Sequence, residues 1–121
     1  MKSFFVALIV ALFALSGSPS RADDRDVTVV NGTGYSIKFL GFNRPGDDDW
    51  SDNELDEVMK DGESVEVTFD TEDEGCKWNI RVDWADPGYP GVLWKNIDLC
   101  NIGRITLHYD RKTDTTSITA K

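Results

Sequence analysis

Residues 76–84 read Cys-Lys-Trp-Asn-Ile-Arg-Val-Asp-Trp, and they indicate the fold class more clearly than any other stretch of the chain. Every second residue from Cys76 to Trp84 is apolar, and the residues between them are polar or charged. Because successive side chains of a β-strand point to opposite faces, this period of two predicts a strand with one face in a core and one in water.

Six further stretches have the same alternation or a β-like composition. They are Val27 and Val29; Ile37 and Phe39; Val65, Val67 and Phe69; residues 92–97; Ile105, Leu107 and Tyr109; and residues 115–120. Turn-forming segments at 86–88, 89–91 and 111–114 separate several of them. Seven short strands with such turns predict an all-β fold, an antiparallel β-sandwich.

The dipeptide Asn31-Gly32 lies between the first two of these stretches. Both residues tolerate the positive φ that a two-residue turn needs, so the sequence predicts a hairpin there.

One connection has a helical pattern. Ser51 and Glu54 have the spacing of a capping box, and Gly62 follows as a stop. Three apolar residues between them recur at helical spacing: Leu55, Val58 and Met59. We expect a short helix in this connection.

The first 22 residues have the features of a secretory signal peptide. Lys2 is followed by an apolar run from Phe4 to Leu15, and Ser20-Arg21-Ala22 puts small residues at both positions that a signal peptidase reads. The run is shorter than the roughly 20 residues of a spanning helix. We therefore expect cleavage after Ala22, a single domain over residues 23–121 with no membrane span, and a periplasmic or secreted location.

Export makes the two cysteines, Cys76 and Cys100, interpretable. An oxidising compartment and an even count favour a disulfide between them. A free reactive thiol and a metal pair are the alternatives, although the chain has no CxxC spacing and one histidine, His108.

The charge excludes several classes of partner. The 121 residues include 22 acidic and 13 basic side chains, for a net charge of −9 and a pI near 4.4. Removal of Lys2 and Arg21 with the signal peptide would leave 11 basic residues and a charge of −11. Such a surface repels phosphate backbones and anionic membranes, so a nucleic-acid partner is not expected.

Several segments together resemble a family of small secreted bacterial proteins of unknown function, some of which carry the enzyme name argininosuccinate lyase. The matching segments are residues 31–37, Trp50, Leu55, residues 61–69, 76–82 and 96–100. The family pattern has Gly after the tryptophan and Tyr close after the first cysteine, where this chain has Ser51 and Trp78. The resemblance implies a secreted bacterial β domain with a Cys76–Cys100 disulfide, and it implies no activity.

An acid-rich stretch between residues 47 and 57 is the natural place to look for calcium, which prefers several carboxylate oxygens. The spacing does not fit an EF-hand, because a loop starting at Asp49 would have Glu54 at position six and Lys60 at position twelve. A different calcium site remains an alternative to a solvated surface, with candidate ligands Asp47, Asp48, Asp49, Asp52 and Glu54.

Four tryptophans are candidates for recognition, because exposed aromatic side chains anchor partners. Trp78 and Trp84 share a face with Cys76 and are expected in the core. Trp50 lies in a polar loop, and Trp94 lies near the Pro-Gly turns with Tyr89, so Trp50, Tyr89 and Trp94 are the expected surface candidates.

These observations favour a monomeric binding domain with no resident cofactor, recognising a partner with a basic surface by charge complementarity. The alternatives are a calcium-stabilised structural domain and a small hydrolase with His108 as its base. We do not expect an enzyme, because no nucleophile is paired with His108 by sequence.

Overall fold

The structure, a computed structural model, describes residues 25–69 and 75–121. The expected signal peptide, its cleavage site and the acidic residues 70–74 lie outside the described residues. Seven strands confirm the all-β expectation: β1 (Val27–Asn31), β2 (Ile37–Asn43), β3 (Ser64–Val67), β4 (Lys77–Trp84), β5 (Val92–Asp98), β6 (Arg104–Asp110) and β7 (Thr115–Ala120).

The strands form two sheets, in the orders β3-β1-β6-β7 and β2-β4-β5. Four of the strand pairs are antiparallel, but β1 and β6 are parallel. The expectation of a wholly antiparallel arrangement is therefore wrong. The chain crosses to the other sheet for β2, returns for β3, crosses again for β4 and β5, and comes back to place β6 beside β1 in the same direction.

The predicted hairpin at Asn31-Gly32 is also wrong, because β1 and β2 belong to different sheets. The side chain of Asn31 is fully buried, and its amide donates to the carbonyl oxygens of Tyr35 and Met59. Its Oδ1 accepts from the backbone and hydroxyl of Thr33. A Cβ on Gly32 would lie 2.7 Å from Thr106 Cγ2, so the glycine permits close approach to β6. The dipeptide thus makes a tightly bonded crossing between the sheets.

The helix expected after Ser51 is absent from the described residues. Residues 51–59 instead follow the edge of β2: Ser51 N and Glu54 N donate to the carbonyls of Phe42 and Leu40, and Met59 exchanges both backbone bonds with Ile37. Leu55 and Met59 are buried, whereas Val58 is 44% exposed. The helical pattern is overridden because β2 has no other strand on this side and its backbone groups need partners.

Asn53 completes this edge by acting as a backbone substitute. Its Oδ1 accepts from the N–H groups of Leu40 and Leu55, both at 3.0 Å, and its Nδ2 donates to Lys38 O at 2.9 Å. One amide side chain therefore bridges two segments that would otherwise leave donors and acceptors unmatched.

A single cluster of buried apolar residues takes side chains from both sheets. Val29, Ile105 and Leu107 come from the four-stranded sheet, and Leu40, Ile80, Val82 and the expected core residues Trp78 and Trp84 come from the three-stranded sheet. Cys76 and Cys100 form the expected disulfide, with a Cα–Cα separation of 5.2 Å, and it joins the start of β4 to the end of β5. Among the described residues no helix is long and apolar enough to span a membrane.

We expect Asn53→Ala to lower the free energy of unfolding by about 2 kcal/mol, because it leaves backbone groups of the β2 edge without their partners. The neighbouring variant Asp52→Ala is the control, since the Asp52 side chain makes no hydrogen bond in the described structure and should change stability by less than about 0.5 kcal/mol. Urea unfolding of both variants measures the difference. Equal losses would contradict the bridging role of Asn53.

Candidate functional site

A cleft of about 500 Å³ lies between residues 42–54 and the end of β3. Its apolar walls come from strand ends and from the loop that covers β2, and its carboxylates come from the same loop. The aromatic lining residues are Phe42, Trp50, Phe69 and Trp78; the acidic ones are Asp47, Asp49 and Glu54; the basic one is Arg44. The cleft therefore combines π faces with an excess of negative charge.

The aromatic wall is a packed set of rings. Phe69 lies edge-on to Phe42 with centroids 5.5 Å apart, and it contacts Trp78 at 5.0 Å. Phe69 N donates to Asp26 Oδ1 at 2.8 Å, and Trp78 Nε1 donates to Gly75 O at 3.1 Å. These bonds hold both rings at the base of the cleft.

A guanidinium from the chain itself already packs on this pair of rings. The Cζ of the buried Arg25 lies 5.5 Å from the Phe69 ring centroid and 6.0 Å from that of Trp78. Its Nη1 donates to Gly75 O at 3.3 Å. Both rings therefore lie within cation–π distance of a guanidinium.

Glu54 is half-buried, whereas the other two acidic lining residues, Asp47 and Asp49, are exposed; its backbone N–H donates to Leu40 O. Partial burial raises the pKa of Glu54 above its ordinary value, a hydrogen bond with the Ser51 side chain partly lowers it, and the charge of Asp52 raises it further. Desolvation by the cleft therefore disfavours the ionised form, and a cation placed there would restore it.

Arg44 does not neutralise the cleft. Its Nε lies 3.6 Å from Asp47 Oδ2, and both side chains are about half exposed. Asp49 and Glu54 have no basic partner among the described ion pairs, and Arg81 and Asp83 form another such pair on β4. The cleft keeps a net negative charge.

The carboxylates expected as calcium ligands do not converge. Asp47, Asp49 and Glu54 line the cleft, but the described residues contain no group of three carboxylates whose oxygens lie within 4.8 Å of one another. The one close group there is Cys76, Asp98 and Cys100, whose sulfur atoms form the disulfide. Asp48 and Asp52 are exposed and lie outside the cleft lining.

The aromatic candidates separate into different environments. Trp50 is half-buried and lines the cleft. Trp94 is 2% exposed and its Nε1 donates to Ser117 O, so the expectation that it lies at the surface is wrong. On β5, Trp94 lies between the exposed residues Leu93 and Lys95, and this alternation of side chains points its indole into the core.

Tyr89 is 44% exposed, as expected, but its ring stacks on Arg111. The Arg111 Cζ lies 3.5 Å from the Tyr89 centroid and 3.6 Å from that of Tyr35, with Trp84 at 5.5 Å. No sequence signal identified Arg111, because it lies in the β6–β7 turn and meets these rings only in the folded chain. The stack ties the loop at residues 85–91 to that turn, away from the cleft lining.

His108, the candidate base, lies on β6 with its Nε2 at 2.9 Å from Thr119 Oγ1. Its hydrogen-bond partner in the described structure is thus a hydroxyl on β7, and His108 is not among the residues that line the cleft.

Comparisons with protein-family models, with curated protein sequences and with solved structures found no match to this chain.

We expect Glu54→Gln to raise the melting temperature at pH 7. Because the pKa of Glu54 is raised in the folded state, its ionisation destabilises the fold once the pH exceeds the ordinary pKa of 4.5. The gain in melting temperature from Glu54→Gln should therefore disappear below pH 4.5. Glu57→Gln is the control, since Glu57 is exposed and carries the same charge. Thermal melts across this pH range measure both; an equal gain for Glu57→Gln would assign the effect to net charge alone.

We expect millimolar calcium and a chelator to give the same melting temperature, because the acidic side chains are spread over the cleft and the solvent. A ligand that binds the folded state raises its apparent stability by mass action, so a rise of several degrees with calcium would show that these carboxylates do form a metal site.

Proposed function

We propose that this chain is a binding domain that recognises a basic protein, and that a lysine or arginine side chain of the partner occupies the cleft beside Trp50. The observation that carries the proposal is the combination of Asp49 and Glu54, free of basic partners in the described structure, with the aromatic rings of the same cleft.

The chemistry of the cleft matches that of a basic side chain. Lysine and arginine have an apolar stem and a charged end, so they gain both from aromatic walls and from carboxylates. The packing of Arg25 against Phe69 and Trp78 supports this choice, because it is the same contact within one chain. A cleft of this size is also within the usual range for ligand sites.

The charge of the whole chain supports the same class of partner. A net charge of −9 gives a long-range negative field that speeds encounter with a positively charged protein. Ionisation of Glu54 would accompany binding, so affinity for a cation should increase as the pH rises through the raised pKa of Glu54.

The wider setting of this function is proposed from sequence. The signal-like residues 1–22 support a periplasmic or secreted protein, and the resemblance to the small secreted bacterial family agrees with that location. The apolar cluster shared by both sheets, and the bond from Trp94 to Ser117 between β5 and β7, support a face-to-face sandwich. Recognition rather than catalysis is the proposed role.

An acetylated, amidated eight-residue peptide of alternating arginine and valine is a suitable probe, with titration calorimetry as the measurement. Asp49→Asn should weaken binding about threefold, because Asp49 lines the cleft. Asp48→Asn is the matched control, since it removes the same charge one residue away, outside the lining. Trp50→Ala should weaken binding about tenfold through the lost aromatic contact.

Equal effects of Asp48→Asn and Asp49→Asn, with none from Trp50→Ala, would show that net charge attracts the peptide without use of the cleft. Binding that does not weaken between low and physiological salt would contradict electrostatic recognition altogether.

A further inference from the structure

The outer edge of β3 is a row of backbone groups without partners in the described structure. β3 ends the four-stranded sheet and pairs with β1 alone, in the register Val29 to Val65 and Thr28 to Glu66. Asn31 N donates to Glu63 O, and bonding residues alternate along an antiparallel pair. Val65 and Val67 therefore bond to β1, and the N–H and C=O groups of Ser64 and Glu66 point outward.

This edge borders a second groove, of about 450 Å³, between β3 and residues 55–60. The lining includes the buried Leu55 and Met59, the half-buried Val65 and the exposed Val58. The cleft beside Trp50 has walls from the continuation of the same two segments, residues 49–54 and 67–69. The groove and the cleft thus lie one after the other along β3.

The outer edges of β5 and β7 also pair with no further strand of the described structure, but no residue of these two strands lines the groove or the cleft. Residues 51–59 bond to β2 and leave β3 uncovered. An exposed edge with open backbone groups is the surface to which an extended peptide adds as a further strand.

We propose that the basic partner binds as an extended segment that pairs with the outer edge of β3 through Ser64 and Glu66, and so places one of its basic side chains in the cleft beside Trp50. The basic side chains of the segment lie on the same face as Val65 and Val67, toward the groove and the cleft, and the side chains between them share the outer face with Glu66. The basic character of the segment rests on the proposed function, and the strand pairing rests on the open edge.

Charge selects this occupant over a second copy of the chain. The groove contains Asp56, Glu57 and Glu63 with one base, Lys60. Two copies joined at β3 would bring these acids and Glu66 together in chains that each carry −9, which is repulsive. A segment with arginine or lysine at alternate positions meets the same groups favourably.

The test follows amide hydrogen exchange by NMR in the purified protein, with and without the arginine-valine peptide. Ser64 and Glu66 amides should exchange fast in the free protein and at least tenfold more slowly with peptide, because they gain acceptors. Val65 and Val67 amides, already bonded to β1, serve as internal controls and should change little.

Two N-methylated peptides provide the second arm, one methylated at every arginine and one at every valine. A paired strand directs alternate N–H groups toward β3, so one series should lose at least tenfold in affinity while the other stays within about twofold of the parent. This contrast does not depend on the folding of any protein variant.

The outcomes separate the two proposals. In one outcome, peptide binding requires Trp50, the Ser64 and Glu66 amides stay unprotected, and both methylated peptides bind like the parent. That result overturns strand addition and leaves recognition by the cleft intact. In another outcome, the two amides are still protected in Trp50→Ala and the peptide affinity is unchanged. That result supports strand addition and overturns the proposal that the cleft binds a basic side chain. Absence of peptide binding at low salt overturns both.

Discussion

The bonding of residues 51–59 to the edge of β2 is the constraint on which the candidate site depends. Asn53 supplies an amide where β2 needs both a donor and an acceptor, and the Ser51 hydroxyl accepts from Phe42 N in the same way. Because these bonds hold the segment against the three-stranded sheet, one side of it becomes a wall facing β3. Both the cleft and the second groove exist because this wall stands apart from β3.

The same segment also places negative charge beside the aromatic rings of the cleft. Glu54 lines the same cleft as Phe69 and Trp78 and is partly buried, so its charge is screened less than that of exposed carboxylates. The raised pKa of Glu54 is the local sign of that desolvation. Exposed acids such as Asp48 contribute to the long-range field but have no cleft contact. An acidic composition thus becomes a directed site only where the fold places aromatic rings next to it.

Much of the fold could be predicted because the alternation of β4 is local. Cys76 to Trp84 has one buried face whatever its neighbours are, and all seven expected strands exist. The disulfide followed from composition and the expected compartment. The helix prediction was wrong because the backbone of residues 51–59 bonds to the open edge of β2 instead of to itself. The helical spacing of Ser51, Glu54 and Leu55 is a local pattern and cannot reveal that partner. The expected hairpin failed for a related reason, since Asn31 is used to bond Tyr35 and Met59 across a sheet-to-sheet crossing.

The candidate site was likewise predictable from sequence only in part. Trp50 and the acidic loop were identifiable from sequence as an aromatic side chain among charges, whereas Phe69, Trp78 and the open edge of β3 joined them only through the tertiary structure. Trp50 and Trp94 were both expected at the surface, and the alternation of β5 buries Trp94. The sequence by itself determined the strands, the cysteine pair and the acidity, because these follow from residue type and short-range periodicity. Tertiary structure decided the sheet order, the parallel β1–β6 pair and the cleft, because each requires contacts between segments that are distant along the chain.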